Sequence, residues 1–516
     1  MWFILLFACL VVIVYNYVIK PMSYWKNRLV AYEKPLPLFG NMLSVILGKN
    51  NSTELYQKIY ENHPNERYIG MFSFTTPVLI VKDPELLKTV MVKEFDTFPE
   101  HRRMLSENAD PLWTQSIFAI KGGEKWRKLR SILSPFFNST KLRSMFVLMR
   151  ECAKRFSKHF LEQSDLVEVE LKDSLTRFAN DVLAITAYGY NCDSLSDPNN
   201  EFYIMAKNVG SFNGQKKIAF LINFLSTSFA KYFSISVFGN KVSRFFQKIV
   251  KDAINHRNDS EIVHPNMLQL LIEAQRENLN YKAAKISKVS RTQNKEETEI
   301  DEDTITAQVI IHIFGGFDTA STTMAYAIYE LAVNPDIQEK LQREVDDAFQ
   351  KSKGELTYES LISMKYLDMV INETLRKWPP FIMTGRRSVR PFTIDRSSSR
   401  QIDLVLETGS LIVCPIKCLQ NDSKYYPNPD KFDPERFSEQ NKSKIHPYTY
   451  FPFGAGPRSC IALRFALLEI KLITAEVVRN FTIVPTSKTK IPLTISKSNL
   501  VPLPDDGIWV GFKRRK

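Results

Sequence analysis

Phe453-Gly454-Ala455-Gly456-Pro457-Arg458-Ser459-Cys460 is the stretch that decides how this 516-residue chain is read. Gly454 and Gly456 allow the backbone to turn tightly, against a flat ligand if one is there. Cys460 closes the turn at or near the start of a helix. Free N–H groups and the helix dipole stabilise a thiolate at such a place, and Arg458 adds a nearby cation. The plain reading is a glycine turn leading into a helix that carries a buried cysteine. The chemical reading is a loop that presents one thiolate. The pattern F-x-x-G-x-R-x-C fixes four residues and matches by chance in about one chain of this size in a thousand.

Other stretches gain weight from their order. Glu373-Thr374-Leu375-Arg376 puts a carboxylate and a guanidinium three residues apart, on one side of a helix. Alone it is worth little, because a surface ion pair explains it. Pro434-Glu435-Arg436-Phe437 lies between it and the cysteine. Gly315-Gly316-Phe317-Asp318-Thr319 falls inside a long helical pattern, where each glycine costs about 1 kcal/mol against alanine. Close helix packing would explain the glycines. The adjacent carboxyl and hydroxyl of Asp318 and Thr319 would also make a sensible proton relay. Trp126 and Arg130 are one helical turn apart and face the same way. A core tryptophan beside a surface arginine is the plain alternative.

Composition narrows the class. Apolar residues make up 44% and charged residues 24%, which excludes wholesale disorder. Residues 1–19 carry no charged side chain and are about long enough to cross a bilayer as a helix. A cleaved signal competes, but neither a basic leading region nor a small-residue cleavage site is clear. Lys20, Lys26, Arg28 and Lys34 follow the span and place the rest on the cytoplasmic side. Six scattered cysteines form no disulfide framework. The net charge of +13 suits an anionic membrane surface or an acidic protein partner. Nucleic acid is excluded as a partner: there is no zinc-finger spacing, basic heptad helix or RNP-like strand. No H-E-x-x-H or P-loop occurs, and Gly454-Ala455-Gly456 lacks the third glycine of a dinucleotide fingerprint. NADPH is therefore not expected to bind this chain.

Three segments are expected: an anchor at 1–19, a basic and proline-rich strut at 20–41, and one catalytic domain at 42–516. The fold class is mainly α with small β-sheets. A strand is expected at 78–81, a helix at 84–92, helices over 123–257, and a long helix from about Asp303 to Val333. Residues 281–299 read as a solvated loop. A terminal β-hairpin over 491–512 turns at Pro504-Asp505-Asp506-Gly507. The phenylalanine-rich stretch 218–246 reads equally as core or as an interfacial patch beside the anchor.

These motifs, in this order, resemble the cytochrome P450 superfamily of haem-thiolate monooxygenases. The likeness covers the whole chain and is greatest to insect microsomal, xenobiotic-metabolising members. It implies haem b held by Cys460 as axial ligand, with Phe453 in the ligand loop. Trp126, Arg130, Arg458 and Arg386 are implied to bind the propionates. Glu373, Arg376 and Arg436 are implied to form a buried network that holds the cysteine loop. Thr319 is implied to hold dioxygen and a water in a locally widened helix, and Asp318 to feed protons. Phe314 and Phe381 lead the implied substrate pocket, with Trp113, Ile117, Phe118, Phe212, Ile382 and Leu500 as further candidates. NADPH-cytochrome P450 reductase is the implied electron donor, assisted by cytochrome b5, at the endoplasmic reticulum membrane. Lys125, Arg127, Lys128 and Arg464 are candidates for the docking face. Lipophilic small molecules are the implied substrates. A haem-thiolate isomerase and a non-catalytic haem carrier are the rival classes. Dependence on NADPH and turnover would separate them. Three departures stand out: Ala462 and Gly315 at positions usually glycine and alanine, and Gln420 in place of a frequent histidine.

Overall fold

The computed structural model describes residues 2–106, 110–210, 214–225, 227–256, 266–286, 300–395, 403–497 and 502–516. The expected pocket residues Phe212 and Leu500, and most of the expected 281–299 loop, lie outside these. Residues 281–286 instead end the helix Met267–Ile286.

The chain begins with a continuous helix, Trp2–Asn27, long and apolar enough to cross a membrane and almost entirely unburied in its apolar part. Its last turn and the segment that follows are not a free strut. Trp25 and Val30 are buried, and the Trp25 indole N–H donates to the Met71 carbonyl at 2.9 Å. Tyr32 bridges Gly70, and Gly40 bridges Ser73. Gly70 has no room for a Cβ, which would stand 2.4 Å from the Trp25 ring. The prolines stiffen this segment, but its aromatic side chains bind it to a sheet.

Nine strands form three small sheets among the described residues. β1 (Tyr68–Ser73), β2 (Thr76–Val81), β7 (Leu411–Cys414) and β4 (Thr384–Arg387) make the first, in that order, with β2 and β7 parallel. β3 (Leu166–Glu170), β9 (Trp509–Arg514) and β8 (Phe481–Val484) make the second. β5 (Phe392–Ile394) and β6 (Leu404–Leu406) pair alone. Asp83 caps the helix Pro84–Lys88 through Glu85 and Leu86 N–H groups, as the Asp-Pro signal predicts. The expected terminal hairpin is corrected. The turn at 504–507 exists, but the strand after it pairs with β3 and β8, where Phe512 is buried against Phe160 and Phe481.

Two cores result. One surrounds the first sheet, and the larger one gathers the helices. The helix Glu302–Val333 runs through the larger core, capped by Asp301, whose carboxylate accepts from Thr304 N–H at 2.7 Å. At 32 residues it is about 48 Å long. The phenylalanine-rich stretch divides between its two readings. Phe238 and Phe246 are core, while Phe229, Tyr232 and Phe233 are exposed.

Because Trp25 is packed as core, Trp25→Ala should lower stability by about 3–5 kcal/mol. Removing residues 2–19, which are nearly all exposed, should leave the denaturant midpoint almost unchanged. Urea unfolding of the two variants side by side checks both.

Candidate active site

The cysteine loop is built from backbone contacts. Cys460 N–H donates to the Phe453 carbonyl at 2.9 Å, and Gly454 N–H to that of Phe451 at 2.8 Å. Gly454 and Gly456 have φ of +73° and +72°, the left-handed region that favours glycine. The close approach at Gly456 is to protein, not to a ligand. A Cβ there would lie 1.9 Å from the Met91 carbonyl oxygen. Cys460 is exposed. Burial of its surroundings raises its pKa, against the Ala462 N–H and the Arg130 charge, which lower it. The following helix begins at Leu463, with Ala462 as its cap. Cys460 thus stands just ahead of that helix, and burial outweighs the expected helix-start effect. Ala462 has φ of −94°, so this position needs no glycine.

The Glu373–Arg376 pair lies deep in the protein, with both side chains fully buried. Arg376 grips Glu373 through two N–H groups, at 2.8 and 2.9 Å. Its other donors reach the Gln420 and Pro429 carbonyls at 3.0 and 2.7 Å. Glu373 also accepts from Asp433 N–H at 2.9 Å. Arg436 stands 3.5 Å from the same carboxylate and donates to the Asn428 carbonyl. Gln420 then links this pair to the loop. Its amide N–H groups donate to the Leu375 and Arg376 carbonyls, and its oxygen accepts from Phe451 N–H at 3.2 Å.

A second cluster is cationic. Arg458 is buried and donates to the carbonyls of Pro99, Ile117 and Ile120 at 2.8–2.9 Å, with its guanidinium 4.4 Å from the Trp126 ring centre. Arg386 is buried, donates to the Gly385 and Ala455 carbonyls, and has an Nε without a partner. Desolvation lowers the pKa of Arg130, Arg386 and Arg458. For Arg458, desolvation first and then repulsion from Arg386 and Arg130 bring it to about 9. Among the described residues, no carboxylate hydrogen-bonds to any of the three. Glu100, whose charge acts on Arg458, is paired with Arg387 at 3.0 Å.

The Gly315–Thr319 segment is plain α-helix, without the expected local widening. The Thr319 hydroxyl bonds back to the Gly315 carbonyl at 2.5 Å, which holds the turn closed. A Cβ on Gly315 would meet open space, whereas one on Gly316 would press on Leu183 at 3.2 Å. Asp318 does not turn toward Thr319. It is ion-paired with Lys172 at 2.6 Å, and Lys172 also donates to the Ser321 hydroxyl at 2.7 Å. Phe314 meets Trp113 edge-on at 5.1 Å, and Trp113 packs on Phe118 and Phe238. Phe381 is exposed, and Ile382 packs against the sheet core. On the surface Arg464 is exposed, and exposed Arg127 is paired with Asp96.

The family model described as Cytochrome P450 matches residues 30–510. The chain is 40% identical to "Cytochrome P450 9e2" of Blattella germanica, over 96% of this chain and 94% of that one. It is 35% identical to "Probable cytochrome P450 9f2" of Drosophila melanogaster, over 99% of each. This chain belongs to the cytochrome P450 family. It is a cytochrome P450 monooxygenase, and the family carries haem, draws on redox partners and acts on lipophilic substrates.

The residues of this P450 fit that cofactor. Two buried guanidiniums and half-buried Arg130, none hydrogen-bonded to a carboxylate among the described residues, suit a group that carries carboxylates, and the exposed Cys460 lies near Arg130. Sequence reasoning missed His101. It touches the Gly385 carbonyl and Arg386, and stacks on Phe118 at 4.6 Å. Burial first and then the Arg386 and Arg458 charges hold its pKa well below the usual range. No local spacing marks it, because its neighbours come from β4 and the cysteine loop. Lys172 was missed for the same reason, while Gln420 stood out only as a departure.

Glu373→Ala should strand the Arg376 charge and cost about 3–5 kcal/mol. Urea unfolding of the purified P450 checks this, and a loss under about 1 kcal/mol would contradict it.

Proposed function

We propose that this P450 is a membrane-anchored haem-thiolate monooxygenase of lipophilic small molecules, with haem b as its cofactor. The carrying observation is an exposed thiol, Cys460, near half-buried Arg130, together with buried Arg386 and Arg458, none of the three guanidiniums hydrogen-bonded to a carboxylate among the described residues. Cys460 would hold the haem iron through its thiolate. Arg130, Arg386, Arg458 and Trp126, with His101 beside them, would hold the propionates. Arg458 would do so with the donors its backbone carbonyls leave over. Phe453 would pack beside the ligand. Glu373, Arg376 and Arg436 would fix the loop from behind.

When bound, haem would supply the oxidising chemistry, in which one atom of O2 enters a C–H bond and the other leaves as water, with two electrons from NADPH and two protons. The chain's own part is to orient, exclude water and move protons. The Thr319 hydroxyl oxygen is free to accept a hydrogen bond while its proton lies on Gly315 O. For Asp318 to pass a proton toward Thr319 it must first part from Lys172, so the ion pair would act as a brake on delivery. Phe314 and the Trp113 wall would confine an apolar substrate, with Phe381 at the margin. Electrons would come from NADPH-cytochrome P450 reductase, with cytochrome b5 assisting, through a face that includes Lys125, Arg127, Lys128 and Arg464. The helix 2–27 supports a single-pass anchor at the endoplasmic reticulum with the catalytic domain in the cytosol.

The test is the carbon monoxide difference spectrum of the reduced protein. A strongly red-shifted Soret band is expected, and Cys460→Ala should abolish it. A band at the ordinary position in the unsubstituted protein would overturn the thiolate assignment. With reductase and a turned-over substrate, Thr319→Ala should keep NADPH consumption while lowering product per NADPH. An unchanged ratio would remove Thr319 from the relay.

A further inference from the structure

The apolar part of the first helix carries a single amide side chain, Asn16. It stands four residues, about 6 Å along the axis, inside Lys20. Its amide N–H donates back to the Val12 carbonyl at 2.9 Å. Among the described residues, its side-chain oxygen and its second N–H take no partner. In hydrocarbon such an amide is costly, and a neighbouring helix relieves the cost by bonding to it. Leu5, Cys9, Val12 and Asn16 are all exposed. They recur at steps of four, three and four, so they share one side of the helix.

The molecule's own catalytic domain meets a different side. Val18 is buried between exposed Tyr17 and exposed Ile19. Trp25, seven residues on, is buried too, with its indole N–H on the Met71 carbonyl and its ring against Gly70. Just past the helix, Arg28 pairs with Glu407 and lies over the Tyr24 ring at 3.7 Å. These contacts fix how the helix is rotated about its axis relative to the domain. Asn16 comes two residues before Val18, about half a turn round. The side that carries Leu5, Cys9, Val12 and Asn16 therefore faces away from the domain.

We propose that this side pairs with the same side of a second copy of the chain in the bilayer. Charge after the span orients every copy alike, so two such helices run parallel. About a two-fold axis each residue of one then meets its own counterpart in the other. An amide offers both donors and an acceptor, so Asn16 of each copy can serve the other in both directions. A single asparagine in an apolar seam also fixes the register of the pair. Cys9, one seven-residue step before Asn16, is small enough for the two backbones to approach. The two catalytic domains, held on the Val18 sides, lie outward and do not collide. The inference rests on the proposed single-pass anchor.

The experiment uses the full-length haem-loaded protein, reconstituted alone in phosphatidylcholine vesicles and oxidised with copper phenanthroline. Cys152, Cys192, Cys414 and Cys418 are buried, which leaves Cys9 open to reaction apart from the site's own Cys460. A disulfide-linked dimer is expected, and Cys9→Ser should abolish it. The double variant Cys9→Ser/Val11→Cys carries its thiol on another side and should cross-link about tenfold less. Energy transfer between labelled copies should show Asn16→Leu weakening association about tenfold, while Asn16→Gln, which keeps an amide, retains most of it. No dimer through Cys9, equal yields from positions 9 and 11, or unchanged association in Asn16→Leu would each overturn the pairing. Alkaline carbonate separates the two readings. If it strips the unsubstituted protein from the vesicles, the anchor reading fails and the pairing falls with it. Retention without a Cys9 cross-link overturns the pairing alone.

Discussion

The structure depends on one buried ion pair. Glu373 and Arg376 have left water completely, and neither could be there alone, because the desolvation of an unpaired charge is worth several kcal/mol. The penalty is offset by saturation. Arg376 makes two bonds to Glu373 and further bonds to the Gln420 and Pro429 carbonyls, and Glu373 also takes the Asp433 amide. These carbonyls and this amide belong to the irregular chain between the sheets and Cys460, a region short of regular backbone pairing. The ion pair thus replaces secondary structure as the thing that fixes the approach to the cysteine. Gln420 passes the constraint on to Phe451, and the loop's own backbone bonds pass it to Cys460.

The site in front of that frame is unbalanced in charge. Arg458 gives its donors to neutral carbonyls and Arg386 to carbonyls and a histidine, so positive charge gathers with no carboxylate hydrogen-bonded to it among the described residues. Burial keeps it from being screened by water. Such a cluster is costly for the protein alone and favourable for an anionic cofactor, which is how a binding site differs from a structural network. The same arginine that contributes charge also pins residues 117 and 120. Loading of the site and the shape of the chamber wall are therefore joined through one side chain.

The central helix shows the opposite economy. Its glycines do not loosen it, because Thr319 closes the turn onto Gly315 and Leu183 fills the space at Gly316. In the stretch 229–238, Phe229, Tyr232 and Phe233 are exposed, while Asp110 accepts from Ser236, Val237 and Phe238 and so ties that end to the core.

The sequence by itself determined the family, the thiol, the ion pair and the apolar first helix. Each is written in neighbouring residues: a turn that only glycine permits, an i, i+3 pair, an uncharged run. The capped start at Asp83 was legible for the same reason. Only the tertiary structure decided which partners distant residues take. Asp318 faces Lys172 rather than Thr319, and Asp110 serves residues 236–238 instead of its own helix. The last strand joins β3 and β8 in place of the strand before its turn, and Trp25 draws the proline segment onto β1. In each case the choice was made by burial. A polar or aromatic group removed from water must find its partner among whatever the packed chain brings near, and sequence spacing carries no record of that neighbour.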